Sequence, residues 1–443
     1  MRDGVIEEII GIIGRDGVLS SQHEIEGYSV EGRKPRVITF PRTVEEVSEI
    51  MRFASRESLS VIPLGGGTKI GFGREPKRVD IILSTSRLNR LLEHEAGDLV
   101  AVTQSGIPLK GFQEVLGQKR QFLAVDPPHL ESGATVGGII ATNDSGPRRL
   151  RYGTIREFLI GIKVVRPDGG IVKGGAKVVK NVAGYDLPKL YVGSLGTLGV
   201  VVEATFRLYP IPDFSETYLA SFPDLDSLKD SVLSILNSPL VPTCLEALNP
   251  PLMDAISNRL GLSLSDGRYA LAVRIESVKK AVREQISKVK DICGEKRGEG
   301  IVLEGGIEED LWEEIREFPW RIPDDNRAVF KASVLITDVP RVFEVLERVS
   351  DESGLRVHAS SRVGNGILIV SIGGEREAQI EAIRSLRDLI GSLKGNLVIR
   401  EAPTSLKSRV DVWGDVGASL RVMERLRSIF DPNGILNPGR FVV

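Results

Sequence analysis

Three consecutive glycines, Gly65–Gly67, follow the apolar run VIPL and precede Thr68 and Lys69. Glycine loses more conformational freedom on folding than any other residue, so three in a row indicate that the backbone must go where side chains do not fit. Successive backbone N–H groups in such a turn form a concave site for an anion. The pattern leaves three interpretations open: a bound phosphate, a neighbouring strand, or neither.

The residues after these glycines match neither of the two common nucleotide-binding motifs. The dinucleotide pattern G-x-G-x-x-G needs a third glycine where Ile70 stands, and it opens a helix, whereas the strand-like run VDIILST comes next here. The phosphate-loop pattern fits Gly66 and Gly71, but Phe72 occupies the position of its lysine. A phosphate site here would therefore be of another kind.

A second glycine-rich segment, ESGATVGGIIATNDSG, spans residues 131–146 and contains small residues throughout. This composition is typical of backbone that lies against a flat ligand. It also fits a set of tight turns in a β-rich domain. Both interpretations remain open from the residues alone.

The elements around these loops follow from hydrophobic patterning. RVITF, SVIPL and VDIILST predict strands, and TVEEVSEIMRFASRE predicts an intervening helix that begins at Thr43 with capping-box spacing to Glu46. From about residue 99 to 212 the chain is dense in β patterns and turns. After 212, helices alternate with strands, which favours an open α+β domain of the ferredoxin-like type.

Composition bounds the possible functions. The chain has 58 basic and 60 acidic residues and a net charge of −2, which argues against nucleic acid as a partner. Cys244 and Cys293 are its two cysteines, too few for a Cys₄ iron–sulfur cluster, and we expect both to be buried in a reducing compartment. No signal peptide or membrane span is evident, so a cytoplasmic protein is expected.

Four segments together resemble the FAD-linked oxidases, whose fold is shared with vanillyl-alcohol oxidase. They are VIPLGGGTKIG, TVGGIIATNDSGPRRLRYGTIREFL, KNVAGYDLPKLYVGSLGTLGVVVEATFRLYP and FDPNGILNPGR. The resemblance covers about residues 35–212 and 401–443. Within the family the chain is most similar to the FAD-binding subunit of glycolate oxidase, although Leu195 stands where catalytic subunits typically carry glutamate.

The resemblance implies an α+β protein with four parts. An N-terminal helical segment (1–34) precedes a two-subdomain FAD-binding domain of the PCMH type (35–212). A ferredoxin-like α/β cap or substrate domain (213–400) follows, and a C-terminal segment (401–443) returns to pack on the FAD-binding domain.

It also implies an FAD site in which the Gly65–Lys69 amides hold the diphosphate. Relatives that bind FAD covalently use a histidine near this loop; because the loop offers only Thr68 and Lys69, a non-covalent FAD is expected. The residues implied to contact the cofactor are Leu64, Gly65, Gly66, Gly67, Thr68, Lys69, Pro128, Thr135, Val136, Gly138, Asn143, Ser145, Gly146, Tyr152, Gly153, Gly199, Val200, Val201 and Asn437.

The motif expected at the substrate site is less complete than the cofactor motifs. Catalytic relatives carry H-x-G-D-G-N-x-H, whereas this chain reads VHASSRVGNGILIV, which keeps His358 but has Ile367 in place of the second histidine. No metal site is therefore expected. His358 is the candidate base, or else a structural histidine of a strand. Lys331 and Arg362 are the candidate partners of a substrate carboxylate, or else ordinary surface charges.

Three functions remain open. In the first, the chain is the FAD subunit of a glycolate oxidase-type complex that oxidises a 2-hydroxy acid and passes electrons to a second flavoprotein and an iron–sulfur subunit. Such partners would hold it at the inner face of the membrane. In the second, it is a self-sufficient dehydrogenase of a 2-hydroxy acid such as D-lactate. In the third, its FAD is structural and the subunit is not catalytic.

Overall fold

A computed structural model of the chain describes residues 2–176, 185–264, 267–324 and 326–443. The KNVAG part of the third family-like segment, residues 180–184, lies outside the described residues. Helix and strand bounds below refer to the described part of the chain.

The helices are α1 Arg2–Ile13, α2 Gln22–Ile25, α3 Val44–Arg56, α4 Leu109–Gly117, α5 Val136–Thr142, α6 Arg149–Tyr152, α7 Ile155–Phe158, α8 Pro188–Tyr191, α9 Leu225–Leu236, α10 Pro250–Leu260, α11 Lys279–Glu295, α12 Gly306–Arg321, α13 Val339–Ser353, α14 Arg376–Ser392, α15 Thr404–Lys407 and α16 Ser419–Phe430. The strands are β1 Val18–Leu19, β2 Val37–Thr39, β3 Val61–Leu64, β4 Ile81–Ser84, β5 Leu91–Glu95, β6 Val100–Gln104, β7 Gln121–Phe122, β8 Leu159–Val165, β9 Ile171–Gly175, β10 Val200–Arg207, β11 Tyr209–Pro210, β12 Phe214–Phe222, β13 Cys244–Leu248, β14 Tyr269–Ser277, β15 Glu299–Leu303, β16 Ala328–Ser333, β17 Arg356–Arg362, β18 Ile367–Gly373 and β19 Asn396–Glu401.

The chain divides into two compact units. The first unit comprises residues 1–145, 154–211 and 416–443, and the second unit comprises residues 146–153 and 212–415. Both units are therefore discontinuous in sequence. The division at 211/212 lies next to the predicted boundary at 212/213.

Two sheets organise the first unit. A four-stranded sheet has the order β1-β2-β4-β3, in which β4 pairs in parallel with both β2 and β3. A five-stranded antiparallel sheet has the order β5-β6-β10-β8-β9. Because parallel strands need a crossover, the chain passes from β2 to β3 through α3.

The sequence explains α3 well. Thr43 caps its first turn by accepting a hydrogen bond from the Glu46 N–H. Val44, Val47 and Met51 recur with helical spacing on one side and are buried in the core of the first unit, which removes their apolar surface from water. Val61 of β3 is buried in the same core, so this packing helps to position the strand from which the glycine loop (residues 65–73) starts.

The second unit is built on one eight-stranded antiparallel sheet, with the order β15-β12-β14-β13-β17-β18-β16-β19. Strands β12–β15 have the order 4-1-3-2 and follow the pattern βαβαβαβ, because α10 lies between β13 and β14. Strands β16–β19 have the same order and follow the pattern βαββαβ without that extra helix. The two ferredoxin-like halves meet where β13 pairs with β17, so the expected ferredoxin-like domain is present as a side-by-side pair.

Two segments belong to a different unit from the one expected. Residues 146–153 group with the second unit because Arg148 pairs with the buried Glu276 at 2.7 Å and Arg151 donates to the Glu276 carbonyl. Residues 401–415 also group with the second unit, because the N–H of Ile399 on β19 donates to the Val412 carbonyl. The C-terminal part of the first unit thus begins at residue 416.

The glycine-rich segment 131–146 is not all turns, because α5 lies inside it and begins at Thr135. Its two glycines, Gly137 and Gly138, hid this helix from a propensity argument.

Candidate functional site

A cleft opens within the first unit. Four segments line it: residues 63–70 after β3, residues 134–142 around α5, residues 195–201 before and in β10, and two residues near the C-terminus, Asn437 and Arg440. The glycine loop, the second glycine-rich segment and the C-terminal motif therefore meet at one place.

The glycine loop presents free donors to this cleft. Within the described part of the chain, the backbone N–H groups of Gly65, Gly66, Gly67 and Thr68 donate to no acceptor. Further along the loop, the Ile70 N–H donates to the Gly67 carbonyl. Backbone donors that lack partners suit an anionic ligand with several acceptor oxygens, such as a diphosphate.

The glycines are also required by close packing. A Cβ on Gly65 would lie 2.2 Å from Thr135 Oγ1, and a Cβ on Gly66 would lie 2.0 Å from the Gly133 carbonyl oxygen. Gly67 adopts a φ of +75°, which disfavours other residues. The first two glycines thus let the loop pack against the 133–135 turn, and the third lets it turn away.

The floor of the cleft carries a polar group without a partner. The Ser105 hydroxyl is buried and has no hydrogen-bond partner among the described residues. Gly137 packs on this residue, since a Cβ there would lie 2.8 Å from Ser105 Cβ. Because a buried hydroxyl without a partner costs free energy, its place in the lining favours a polar ligand.

The C-terminal wall is tied to the 195–201 wall by Asn437. Its Nδ2 donates to the Leu195 carbonyl at 2.6 Å, while its buried Oδ1 has no partner among the described residues. Leu195 is held at a φ of +53°, a conformation that L-residues rarely adopt. The side chain found in place of the relatives' glutamate therefore lines the cleft from a strained backbone position.

An ion pair with little exposure links the glycine loop to the segment that follows α5. Lys69 Nζ lies 2.7 Å from Asp144 Oδ2, and both side chains are 12% exposed. Asp144 also accepts a hydrogen bond from the Ser145 N–H. The Lys69 ammonium therefore has a carboxylate partner, which leaves the backbone of the loop as its anion-facing part.

Most of the predicted cofactor residues line this cleft. They are Leu64, Gly65, Gly66, Gly67, Thr68, Lys69, Thr135, Gly138, Gly199, Val200, Val201 and Asn437.

The others lie elsewhere. Val136 is fully buried in the core, and Pro128, Asn143 and Ser145 are outside the lining of the cleft. Gly146, Tyr152 and Gly153 belong to the second unit, where burial and the Glu276 carboxylate raise the pKa of Tyr152.

Sequence reasoning missed half of the lining. The residues it did not single out for the site are Pro63, Ile70, Thr85, Ser105, Ala134, Gly137, Ile139, Ala141, Thr142, Leu195, Gly196 and Arg440. Those in 134–142 and at 440 lie inside the motifs already quoted, so taking whole motifs would have found them. Thr85 and Ser105 carry no sequence signal, because only the fold brings them to the floor.

The chemistry of the lining fits a flavin dinucleotide. Four backbone donors face the cleft, the Ser105 hydroxyl can donate or accept, and Asn437 Oδ1 is an acceptor. Apolar side chains such as Val200 and Val201 provide surface for a flat ring. The residues present thus offer partners both to a diphosphate and to a planar polar ring system.

The three predicted substrate residues share one face of the second unit's sheet. His358 and Arg362 lie on β17, two residues on either side of Ser360. Ser360 is opposite Ile369, and Ile369 is opposite Lys331. Because residues directly opposite each other, and alternate residues along a strand, point to the same face, the three side chains lie on one side of the sheet.

Arg362 is a buried cation with unused donors. Its side chain is 9% exposed, its Nε lies 3.7 Å from Glu246 Oε1, and its guanidinium makes no hydrogen bond within the described residues. Glu246 is the residue directly opposite it on β13. A guanidinium has five N–H donors in a planar fork that matches a carboxylate. Arg362 therefore has the chemistry of a carboxylate-binding residue.

His358 is suited to act as a base. Burial, together with the Arg356 guanidinium, lowers the pKa of His358 below its usual value. Its imidazole is therefore neutral at pH 7 and has a lone pair to accept a proton.

The remaining candidate features are metal-binding clusters, membrane-spanning helices and the two cysteines. No cluster of three or more potential metal ligands occurs in the described ranges. No helix in those ranges is long and apolar enough to cross a bilayer. Both cysteines are buried, as expected, and burial raises the pKa of Cys293 to about 12.

Comparison with protein-family models gives two matches. Residues 35–175 match the FAD binding domain, and residues 211–398 and 414–441 match the C-terminal domain of FAD linked oxidases. The first match contains the glycine loop and α5, and the second contains β17 and the C-terminal motif.

Comparison with individual proteins agrees. The chain is 27% identical to the glycolate oxidase subunit GlcD of Bacillus subtilis (strain 168), over 92% of this chain and 88% of that one. It is 29% identical to a D-lactate dehydrogenase of Archaeoglobus fulgidus, over 92% of this chain and 91% of that one. Its fold is similar to that of p-cresol methylhydroxylase, with a TM-score of 0.79, 15% identity, and coverage of 99% of this chain and 96% of that one.

Proposed function

The chain belongs to the FAD-linked oxidases, a family of FAD-dependent oxidoreductases, and from that premise we propose that it oxidises a 2-hydroxy acid as the FAD subunit of a glycolate oxidase-type complex. Its relatives named above include a glycolate oxidase subunit and a D-lactate dehydrogenase, both of which act on 2-hydroxy acids by name. Glycolate and D-lactate share a carboxylate next to a hydroxyl-bearing carbon, so one site chemistry serves both.

One observation carries the substrate half of the proposal: Arg362 is buried and its guanidinium has no hydrogen bond within the described residues. Its ion pair with Glu246 at 3.7 Å balances the charge and leaves the N–H donors of the guanidinium available to a ligand. The carboxylate of a 2-hydroxy acid matches its bidentate fork, and Lys331 on the same sheet face adds positive charge.

In this proposal, each group at the site has one role in the reaction. The carboxylate binds at Arg362, which orients the neighbouring C–OH group. The neutral His358 imidazole accepts the hydroxyl proton. FAD, bound at the Gly65–Thr68 amides, would supply the acceptor for the hydride that leaves the substrate carbon, so that the C–H and O–H bonds break as the C=O bond forms.

Electron transfer to partners is the second half of the proposal. The sequence has two cysteines, too few for a Cys₄ cluster, so one-electron transfer beyond the flavin is assigned to an iron–sulfur subunit and a second flavoprotein. The name of the Bacillus subtilis relative as a subunit supports this assignment. The partners would hold the complex at the inner face of the membrane.

Anaerobic reduction tests the proposal. The FAD-loaded chain is mixed with glycolate or D-lactate, alone and with its co-purifying subunits, and bleaching of the visible flavin band is followed. We expect the substrate to bleach the flavin band and repeated turnover to require the partner subunits. Turnover by the lone chain with an artificial acceptor, at the rate of the complex, would favour the self-sufficient dehydrogenase. No bleaching in either setting would favour a structural FAD.

A matched pair of variants isolates the substrate site. R362M should raise the KM for the 2-hydroxy acid strongly while FAD binding stays normal, because Arg362 lies in the second unit and the FAD cleft in the first. R348M, which removes an exposed arginine of α13 in the same unit, should change neither. Equal KM values in the two variants would contradict the role of Arg362.

A further inference from the structure

A tail segment, residues 435–440, runs beside the glycine loop and bonds to the chain on both sides of it. Before the loop, the Val61 N–H donates to the Ile435 carbonyl at 2.8 Å, and the Asn437 N–H donates to the Val61 carbonyl at 3.0 Å. After the loop, the Arg74 N–H donates to the Arg440 carbonyl at 3.0 Å. The tail segment therefore spans the loop from its start to its end.

The side chain of Arg440 reaches into the loop itself. Its Nη2 donates to the Phe72 carbonyl at 2.6 Å and also to the Ile70 carbonyl. Two carbonyls of one irregular segment are thus satisfied by one guanidinium from about 370 residues further along the chain. Charge-assisted bonds of this kind are stronger than neutral ones.

Arg440 is also deeply buried. It is 3% exposed and lines the cleft, and burial lowers its pKa to about 10, against the opposing effect of the Glu31 carboxylate. The guanidinium is thus still charged at neutral pH. A buried cation beside an anion-binding loop favours the anion electrostatically.

The backbone contact is equally close. Gly73 has a φ of +104°, and a Cβ there would lie 2.7 Å from the Arg440 carbonyl oxygen. The loop can therefore reach the tail segment only with glycine at this position.

We propose that Arg440 is a positioning residue of the FAD site, which holds residues 70–73 so that the Gly65–Thr68 amides face the cofactor diphosphate. The role rests on FAD binding and not on the identity of the substrate. The positioning role of Arg440 predicts a different result from a role as a simple positive charge. A lysine keeps the charge, but its side chain is one bond shorter, so its ammonium does not reach the position from which Nη2 donates to both the Ile70 and Phe72 carbonyls.

The experiment measures FAD affinity directly, by titrating the FAD-free full chain and following the quenching of flavin fluorescence. The variants are R440M, R440K and G73A, with R425M as the control, because Arg425 is an exposed arginine of α16 in the same C-terminal part. Backbone amide exchange of residues 65–73 and of the second unit is measured on each FAD-free variant.

We expect R440M and R440K both to weaken FAD binding at least roughly ten-fold (~1.4 kcal/mol). Faster amide exchange should be confined to the glycine loop, while R425M matches the wild type. G73A keeps the arginine but displaces the loop, so it should resemble R440M.

Two results would overturn the proposal. Full rescue by R440K would show that charge alone matters, and FAD affinity of R440M within about two-fold of wild type would show that Arg440 does not position the loop. If R440M does not fold, G73A and R440K still decide between these outcomes. Because neither FAD titration nor amide exchange depends on turnover, a failure of this proposal is distinguishable from a failure of the proposed 2-hydroxy-acid activity.

Discussion

Three glycine-to-alanine substitutions in the first unit should change the free energy of unfolding by amounts that differ in sign as well as in size. A Cβ on Gly66 would lie 2.0 Å from the Gly133 carbonyl oxygen, and a Cβ on Gly111 of α4 would meet nothing within 4 Å. A Cβ on Gly67 would make only an ordinary contact, at 3.9 Å from Leu64 Cδ1, but the φ of Gly67 is +75°. The side chain added is the same methyl group each time. Any difference therefore comes from the surroundings of the site.

The magnitudes follow from these contacts. Ordinary contact begins at 3.4 Å, so G66A must separate the loop from the 133–135 turn by about 1.4 Å, which is overpacking of a kind that costs about 1–3 kcal/mol. G67A places an L-residue in the left-handed region at a cost of about 1–2 kcal/mol. G111A replaces a glycine inside a helix and should add about 0.5–1 kcal/mol to the free energy of unfolding.

The substitutions are assayed by chemical unfolding of the FAD-free chain and by FAD titration. If G66A raises the Kd ten-fold, then FAD at 100 times the wild-type Kd stabilises this variant by about 1.4 kcal/mol, against about 2.7 kcal/mol for the wild type. G111A should gain the full wild-type increment. The reasoning is refuted if G66A and G111A change the free energy of unfolding in the same direction, or if G66A binds FAD as tightly as wild type.

Further predictions concern the ion pair, the strained leucine, the base and the cofactor linkage. K69M should lower the free energy of unfolding by about 2–3 kcal/mol, somewhat less than loss of a partner from a fully buried pair, and K69M/D144L should recover part of this in urea unfolding. L195N should raise the melting temperature of the FAD-free chain, because asparagine tolerates the left-handed region at Leu195 better than leucine. Burial lowers the pKa of His358, so wild-type kcat/KM should stay level to below pH ~6.5 and fall only as the imidazole protonates. H358Q should lack this fall at acid pH and should lose about 10²–10⁴-fold in rate. An unchanged fall at acid pH in H358Q would exclude His358 as the base. Acid precipitation should release all the yellow colour from the protein, and colour retained in the pellet would show a covalent flavin.

The same His358 shift has a consequence for stability with a definite sign. Its folded-state pKa is lowered, so the folded protein binds this proton less readily than the unfolded chain does. The free energy of unfolding should therefore fall as the pH drops below the unfolded value of about 6.5. H358Q should show a shallower fall over that range in urea unfolding.

The sequence was a good guide where motif and function coincide in one segment. The strand before the glycine loop, α3 with its Thr43 cap, and the family were all predicted correctly. The reason for the glycines was predicted only in part. Gly65 and Gly66 are explained by the approach of Thr135 and Gly133, a contact between segments about 70 residues apart that no local pattern encodes.

Long-range contacts also account for what was missed. Arg440 is one of many arginines in the sequence, and only its hydrogen bonds to Ile70 and Phe72 distinguish it. The assignment of residues 146–153 to the second unit depends on Arg148 meeting Glu276, which lies 128 residues away. Short helices such as α5 were missed because tertiary packing, rather than propensity, stabilises them.

The crossing of the loop by the tail segment has a consequence for biosynthesis. Residues 435–440 are made about 360 residues after the glycine loop, which at ribosomal rates is a delay of roughly 20–70 s. All of residues 212–415, most of the second unit, emerges within that interval. The nascent chain can thus complete residues 212–415 before its first unit is complete. If Arg440 positions the loop as proposed, full FAD affinity is reached only after Arg440 has been translated.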